Sequence, residues 1–173
     1  DTRIPIASAN KEKRYEFDTE YSSQIVQVLA SEYSSVYYVD LITSEMSIIS
    51  LSDTVFKNIG SFLHQKINFS IALKLVLAKQ IRNSDREELK KFASADFLKE
   101  LMRNRKTYTQ IYRDGTEKNF RYYEMKIVKV DDIEDEATAI ILGIANKDAE
   151  VRAELADKER KRKDNDIIRI LAS

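Results

Sequence analysis

The sequence predicts an α+β fold: a five-stranded antiparallel sheet with helices on one face, flanked by N-terminal and C-terminal helices. Two observations predict it. Stretches that alternate with a period of two occur as one pair early in the chain and as a group of three later, and a helical region separates them. At 173 residues, of which 43% are apolar, the chain can also build one substantial core.

The first predicted elements are a helix and a hairpin. A helix is expected over 15–33, where Ile25, Val28 and Leu29 recur at helical spacing. VYYVDL (36–41) and MSIISL (46–51), rich in β-branched and aromatic residues, are predicted to pair as antiparallel strands around the polar turn TSE.

The middle of the chain changes from helical to strand periodicity. Residues 52–104 are predicted to be helical, with one helix starting at Ser84, because Ser84 and Glu87 have the spacing of a capping box. TYTQIYR (107–113) then alternates as a strand, and Asp114-Gly115 is a strong hairpin signal. A long partner strand is expected at about 118–130.

The last part contains an acidic loop, a strand and a charged helix. The loop is predicted at 131–136, the apolar central strand at 137–145 and the exit helix at about 147–170. The expected organisation is a lead-in over 1–22, a folded domain over 23–146 and a charged connecting helix over 147–173. We interpret the acidic run as a solvated loop; the alternative is a cation site. These are its carboxylates: Asp131, Asp132, Glu134, Asp135 and Glu136.

Composition excludes several classes of function. The chain has no cysteine, which excludes disulfides, thiolate nucleophiles, iron–sulfur clusters and cysteine zinc sites. Its 29 basic and 29 acidic residues leave no basic excess, so a nucleic-acid partner is not expected. The apolar stretch 67–81 is interrupted by Lys74 and Lys79 and is too short to span a bilayer, so this segment is expected to make no membrane contact.

Catalytic chemistry has few candidate residues. His64 is the one histidine, and it has no evident partner for base or ligand duty. Gly60, Gly115 and Gly143 are too far apart for a phosphate-binding loop. We therefore predict no catalytic residues and no metal site.

The inner sheet face carries the candidate ligand-binding residues. Alternation places Tyr108, Gln110 and Tyr112 on one face of their strand, and a glutamine among aromatic rings is a typical orienting group in an apolar pocket. The alternative is a tyrosine-rich core whose hydroxyls are satisfied internally. The full candidate set is Tyr37, Val39, Tyr108, Gln110, Tyr112, Tyr123, Met125 and Leu142.

The exit helix is predicted to be exposed, either as a linker that can change its register or as a merely solvated connector. Oppositely charged residues four apart support a continuous helix. Val151 and Leu155 begin an apolar stripe that resumes at Ile167, Ile170 and Leu171, which predicts a weak coiled coil. KERKRK (158–163) has interleaved acidic neighbours and no aromatic residues, which argues against a nucleic-acid patch.

The element order resembles a PAS domain over about 23–155. The resemblance is carried by LASEYSSVYYVDL, by the SDREEL helix, by TYTQIYRDGTEKNF and by IILGIANKDAEVR. It is similar to the PAS modules of bacterial multidomain sensors that end in a histidine kinase of a two-component system or a GGDEF diguanylate cyclase. PAS modules often carry an Asp-Ile-Thr-like cap where this chain has Asn146-Lys147-Asp148.

The resemblance implies a cytoplasmic, non-catalytic sensory module that binds a small ligand and acts as a homodimer through its flanking helices. The implied relay residues are Asn146, Asp148, Val151 and Leu155. Heme is not expected, and the flavin photoadduct of light-sensing relatives needs a cysteine that the chain lacks. The alternative is a PAS module that only dimerises and spaces its neighbours. NDIIRILAS (165–173) echoes SQIVQVLAS (23–31), which we interpret as the start of a second module.

Overall fold

The computed structural model describes residues 32–51, 65–134 and 136–172. Two sets of predictions lie outside these residues. One is the helix over 15–31, and with it the 23–31 half of the comparison with 165–173. The other is the segment 52–64, which includes His64. Within the described ranges the chain forms one antiparallel sheet of order β3-β2-β1-β6-β5-β4.

The first hairpin joins β1 (Ser35–Asp40) to β2 (Glu45–Leu51), close to the predicted bounds. Its turn is held by the Asp40 carboxylate, which accepts hydrogen bonds from the backbone N–H groups of Ile42 at 2.8 Å and Thr43 at 3.0 Å. An aspartate commonly closes a turn in this way. Sequence reasoning missed β3 (Ile67–Asn68), which at two residues is too short to show alternation.

Four helices and one 3₁₀ turn occur in the described ranges. Asn68 caps α1 (Phe69–Lys79) by accepting the Ile71 N–H at 3.0 Å. Next come α2 (Asn83–Lys90) and a 3₁₀ turn (Lys91–Ala93). Ser94 caps α3 (Ala95–Met102), and α4 (Asp148–Leu171) is the exit helix.

The predicted capping box at Ser84 is wrong. The N-cap residue of α2 is Arg82, and Ser84 lies inside the first turn. The Ser84 hydroxyl accepts a hydrogen bond from Arg113 at 3.2 Å, so a partner distant in sequence uses the group that was expected to cap the helix.

The second hairpin joins β4 (Thr107–Gly115) to β5 (Phe120–Ile133). Gly115 ends β4 with φ +125°, and a Cβ there would lie 2.4 Å from the Asn119 carbonyl oxygen. The connecting loop is therefore 116–119, and Gly115 is needed because other residues rarely adopt this conformation.

The last strand, β6 (Glu136–Asn146), pairs with both β5 and β1. The predicted acidic loop at 131–136 is wrong for most of its length, because β5 continues to Ile133 and β6 begins at Glu136. Irregular pairing near Asp131 allows the strands to continue through the acidic residues.

The core lies between one sheet face and the helices, which confirms the predicted α+β class. Phe92, Leu98 and Met102 from the helical region are almost fully buried against Val39, Leu142 and other strand residues. The Phe92 ring contacts Phe97 edge-on at 5.2 Å. Burying such a side chain stabilises the fold by about 1.5–3 kcal/mol.

The opposite sheet face carries a close contact. The Tyr33 ring lies against Gly143, where a Cβ would come within 2.7 Å of its Cδ1. Ser34 donates its N–H to the Ile144 carbonyl at 2.7 Å, which places Tyr33 beside β6 just before β1 begins.

Candidate functional site

The eight predicted inner-face residues come together on the side of the sheet that faces the helices. One row across the sheet consists of three pairs: Tyr37 with Leu142, Leu142 with Ile127, and Ile127 with Tyr108. The neighbouring row joins Gln110 to Met125. A third row joins Tyr112 to Tyr123, and Val39 pairs with Ile140. The structure therefore places these residues on one face of the sheet, as alternation predicted; ligand binding by them stays a prediction.

Most of this face is filled by packing. Val39, Tyr112, Met125 and Leu142 are buried members of the core cluster. Tyr37, Tyr108 and Tyr123 are partly buried and packed against it. Tyr112 and Tyr123 stack with their ring centroids 6.0 Å apart.

Gln110 is half-buried, and both ends of its amide have protein partners. The Tyr108 hydroxyl donates to the Gln110 side-chain oxygen at 2.8 Å. The Gln110 side-chain nitrogen donates to the Ile111 carbonyl at 3.2 Å. These bonds use one N–H and one lone pair of the amide, so a ligand at Gln110 would use the remaining N–H or lone pair or replace one of these bonds.

Burial controls the ionisation of the inner-face tyrosines. It raises the pKa of Tyr112 well above the usual tyrosine range, and the nearby negative charge of Asp114 raises it further. Burial also raises the pKa of Tyr37, although a hydrogen bond with Ser35 opposes that change. Both phenols therefore remain neutral donors at physiological pH.

The start of the exit helix is bonded directly to the sheet. The Asn146 side-chain oxygen accepts the Asp148 N–H at 3.0 Å. The Asp148 carboxylate accepts the Tyr122 backbone N–H at 3.1 Å and the Arg152 Nε–H at 2.9 Å. The bond from Arg152, helped by that from Tyr122, holds the pKa of Asp148 below its usual range. Asn146-Lys147-Asp148 thus makes a sheet-to-helix contact of its own.

Val151 and Leu155, the other predicted relay residues, contribute less to this junction. Val151 is half-buried, and Leu155 is 49% exposed. Because α4 is continuous and advances about 100° per residue, Leu155 and Ile167 lie on faces roughly 120° apart. The apolar stripe predicted to begin at Val151 and Leu155 and to resume at Ile167 therefore does not stay on one face of the helix.

Sequence reasoning missed a cation–π cluster at the start of β5. In the described part of the chain, three guanidinium groups lie near the Phe120 ring: Arg82 at 4.7 Å from its centroid, Arg152 at 5.4 Å and Arg113 at 5.7 Å. We call Phe120 and these three arginines the Phe120 cluster. Arg152 also donates to the Phe120 carbonyl at 2.9 Å.

Each arginine of the Phe120 cluster has an acidic partner, and the three partners lie on α2, on the β4–β5 loop and on α4. Asp85 of α2 accepts hydrogen bonds from the Arg113 backbone N–H at 2.7 Å and Nε–H at 3.0 Å, and it pairs with Nη2. These bonds hold the pKa of Asp85 below its usual range. Arg82 pairs with Glu117 at 2.5 Å, and Arg152 pairs with Asp148. The cluster therefore joins α2, the β4–β5 hairpin and α4.

Two cavities lie along the β4 edge of the sheet. The smaller, about 230 Å³, lies between α2 and β4, and its lining includes Asp85, Gln110, Tyr112 and Tyr122. The larger, about 660 Å³, is an open cleft between the α1–α2 connection and the β4–β5 hairpin. Both border residues of the Phe120 cluster or their acidic partners.

The described residues offer neither a metal cluster nor a membrane-spanning helix. No group of three or more potential metal-ligating side chains occurs there, and His64 lies outside these ranges. None of the described helices has the length and apolar character needed to cross a bilayer.

No protein-family model and no curated protein matches the chain. Solved structures do match. One, a sensory box histidine kinase/response regulator from Burkholderia thailandensis, is 20% identical with a TM-score of 0.48, over 79% of this chain and 95% of that chain. The N-terminal domain of a diguanylate cyclase with PAS/PAC sensor from Marinobacter aquaeolei is 13% identical with a TM-score of 0.44, over 67% and 96%.

A third similar structure is the PAS domain of BvgS from Bordetella pertussis, 14% identical with a TM-score of 0.44, over 83% of this chain and 99% of that one. Such low identities and TM-scores transfer no activity to this chain. Its PAS-like fold is instead evident from its own elements: two strands, a run of short helices on one sheet face, three strands and an exit helix.

Proposed function

We propose that this chain is a non-catalytic, PAS-like sensory module that works in the cytoplasm within a larger bacterial receptor. In this proposal a small ligand or partner acts at the inner sheet face, and α4 carries the response to a histidine kinase or diguanylate cyclase. The resemblance of the sequence to PAS modules of such receptors suggests the two outputs.

One observation carries the relay part of the proposal: α4 is fastened to the sheet at its first turn, while the helix beyond it is exposed. Asp148 and Arg152 bond to β5, and along Asp148–Leu171 no residue is buried. A helix held only at its base can pass a small movement of the sheet to whatever follows it.

The Phe120 cluster offers a route from the helices to α4. Asp85 connects α2 to Arg113, and both Arg113 and Arg152 lie over Phe120. A ligand that shifts α2 would change the position of Arg113 and, through the shared ring, of Arg152. A difference of about 1.4 kcal/mol in affinity between two arrangements would change their ratio tenfold.

Homodimerisation through the exit helix is part of the proposal. Ile167, Ile170 and Leu171 are 54–81% exposed near the end of α4. A second copy of the same helix can cover such a surface in parallel, as in a short coiled coil. Sedimentation at increasing concentration tests this: we expect a monomer–dimer equilibrium that Ile170→Lys shifts toward monomer and Lys161→Gln does not.

The second candidate is a structural module that spaces and dimerises its neighbours without a ligand. The internal hydrogen bonds of Gln110 favour it, because both ends of the polar group best placed to orient a ligand are already bonded within the chain. A tyrosine-rich face that is mostly filled by its own packing needs no ligand for its stability.

Ligand screening separates the two candidates. Native mass spectrometry of the purified chain and thermal shifts against a metabolite panel would reveal a bound or stabilising compound. A ligand at the inner face should bind at least tenfold more weakly to Gln110→Leu. It should bind unchanged to Thr109→Val, because Thr109 is exposed and adjacent to Gln110 on the same strand. If no compound binds, the structural module is the better account.

A further inference from the structure

The larger cleft has the volume of a small-molecule site, and backbone hydrogen bonds hold its two sides together. At about 660 Å³ it falls within the roughly 300–1,000 Å³ typical of ligand pockets. The connection between α1 and α2 is tied to the β4 edge by two backbone hydrogen bonds: Gly115 N–H to the Gln80 carbonyl at 2.8 Å, and Arg82 N–H to the Arg113 carbonyl at 3.1 Å. The cleft is thus part of the fold rather than a gap between loose loops.

Asp114 contributes a carboxylate without a partner to this cleft. It is half-buried and lines the cleft. Within the described residues the structure gives it no hydrogen bond and no ion pair. Its cross-strand neighbour Arg121 is exposed, and the charge of Arg121 acts on Asp148 instead. Burial raises the pKa of Asp114, as expected for a carboxylate that has lost part of its hydration and gained no donor from the described residues.

Arg86 contributes an oriented cation to the same cleft. Its Nε–H donates to the Ile81 carbonyl at 3.0 Å, which fixes the guanidinium plane. In the described part of the chain its two terminal nitrogens make no hydrogen bond or ion pair. An oriented guanidinium with free terminal N–H groups can bind a carboxylate through two parallel hydrogen bonds, in bidentate geometry.

The other charges of the cleft restrict the ligand further. Glu117 already forms an ion pair with Arg82. Lys79 and Lys118 are exposed at the rim, and their positive charge disfavours a ligand that is purely cationic. A ligand with an anionic group for Arg86 and a cationic group for Asp114 satisfies both unpaired side chains.

We propose that this cleft binds a small zwitterion with one ammonium and one carboxylate group, of which an α-amino acid is the simplest. The ammonium group binds Asp114 and the carboxylate binds Arg86. This site shares no residue with the inner-face set, so it is separate from the ligand site of the proposed sensory function. It borders the Phe120 cluster through Glu117 and Arg82.

The test measures binding of each of the twenty L-amino acids to the whole chain by thermal shift, with calorimetry for every compound that stabilises it. Each such compound is then compared with its analogue lacking the amine and its analogue lacking the carboxylate. We expect at least one amino acid to bind and both of its analogues to bind at least tenfold more weakly.

Matched variants locate the site. Asp114→Asn and Arg86→Gln should each weaken binding at least tenfold. Asp96→Asn and Arg169→Gln make the same changes of charge on exposed positions elsewhere and should leave affinity within twofold. Circular dichroism checks that each variant is folded. If Arg86→Gln does not fold, Asp114→Asn, which keeps the side-chain shape, decides the outcome.

Three results would overturn the proposal. The first is that no amino acid stabilises the chain. The second is that an amino acid binds but keeps its affinity in Asp114→Asn. The third is that the analogue without an amine binds as well as the amino acid. Inner-face ligands are tested by Gln110→Leu, so the two proposals can fail independently.

Discussion

Replacing Asp85 by asparagine removes the charge that ties α2 to the edge strand. The Asp85 side chain is only 14% exposed, and it accepts hydrogen bonds from the backbone, Nε and Nη2 of Arg113. Asparagine has nearly the same shape but offers one acceptor oxygen, and its NH₂ group would face donors of Arg113. The variant therefore tests the charge rather than the packing.

The expected loss in the free energy of unfolding is about 1.5–3 kcal/mol, the usual contribution of hydrogen bonds to a charged group. In a protein of this size that corresponds to a melting temperature roughly 3–12 °C lower. Urea denaturation followed by circular dichroism measures the free energy directly. Glu87→Gln is the matched control: its exposed pair with Lys90 on the same helix should contribute less than about 1 kcal/mol.

The effect should also depend on pH. The pKa of Asp85 is lowered in the folded chain, so its contribution is present above the ordinary aspartate pKa of about 4 and is lost as the pH falls through the folded-state value. The stability difference between wild type and Asp85→Asn should therefore be largest near pH 7 and shrink in acid. A difference that is absent at pH 7, unchanged in acid or matched by Glu87→Gln would refute the reasoning.

Three further changes test other parts of the structure. Gly143→Ala should destabilise the fold by about 1–3 kcal/mol because the new methyl overlaps the Tyr33 ring, and a denaturation cycle with Tyr33→Ala should recover most of that loss. Gly115→Ala should cost about 1–3 kcal/mol because its positive φ and the Asn119 carbonyl leave no room for a side chain, whereas Thr116→Ala in the same loop should cost less. Tyr112→Phe should resist alkaline unfolding: the raised pKa of Tyr112 contributes stability below the ordinary tyrosine value of about 10 that is lost as the pH rises further. Equal alkaline midpoints for wild type and Tyr112→Phe would contradict the assignment.

The sheet could be predicted from sequence because its strands alternate locally. TYTQIYR shows by itself which side chains face inward, and the structure places Tyr108, Gln110 and Tyr112 on the predicted face. The antiparallel pairing of β4 and β5 followed from the glycine turn between them, although the loop lies about two residues later in the chain than predicted.

The Phe120 cluster could not be predicted because its partners are brought together only by the fold. Arg82 and Arg152 are remote from Phe120 in sequence, and nothing in the local pattern marks them among 29 basic residues. The failed capping box has the same cause: Ser84 and Asp85 bond to Arg113 across the β4 edge.

The most direct test of the relay is amide hydrogen exchange in the first turn of α4 when only α2 is perturbed. Asp85 makes no direct bond to α4 in the described residues, but the Phe120 cluster connects them through Arg113 and Arg152. We predict that Asp85→Asn raises exchange over 148–152 under conditions where the fold is intact, that Glu87→Gln does not, and that Asp85→Asn adds no further change once Phe120→Leu has removed the shared ring. Unchanged exchange over 148–152 in Asp85→Asn would contradict the account.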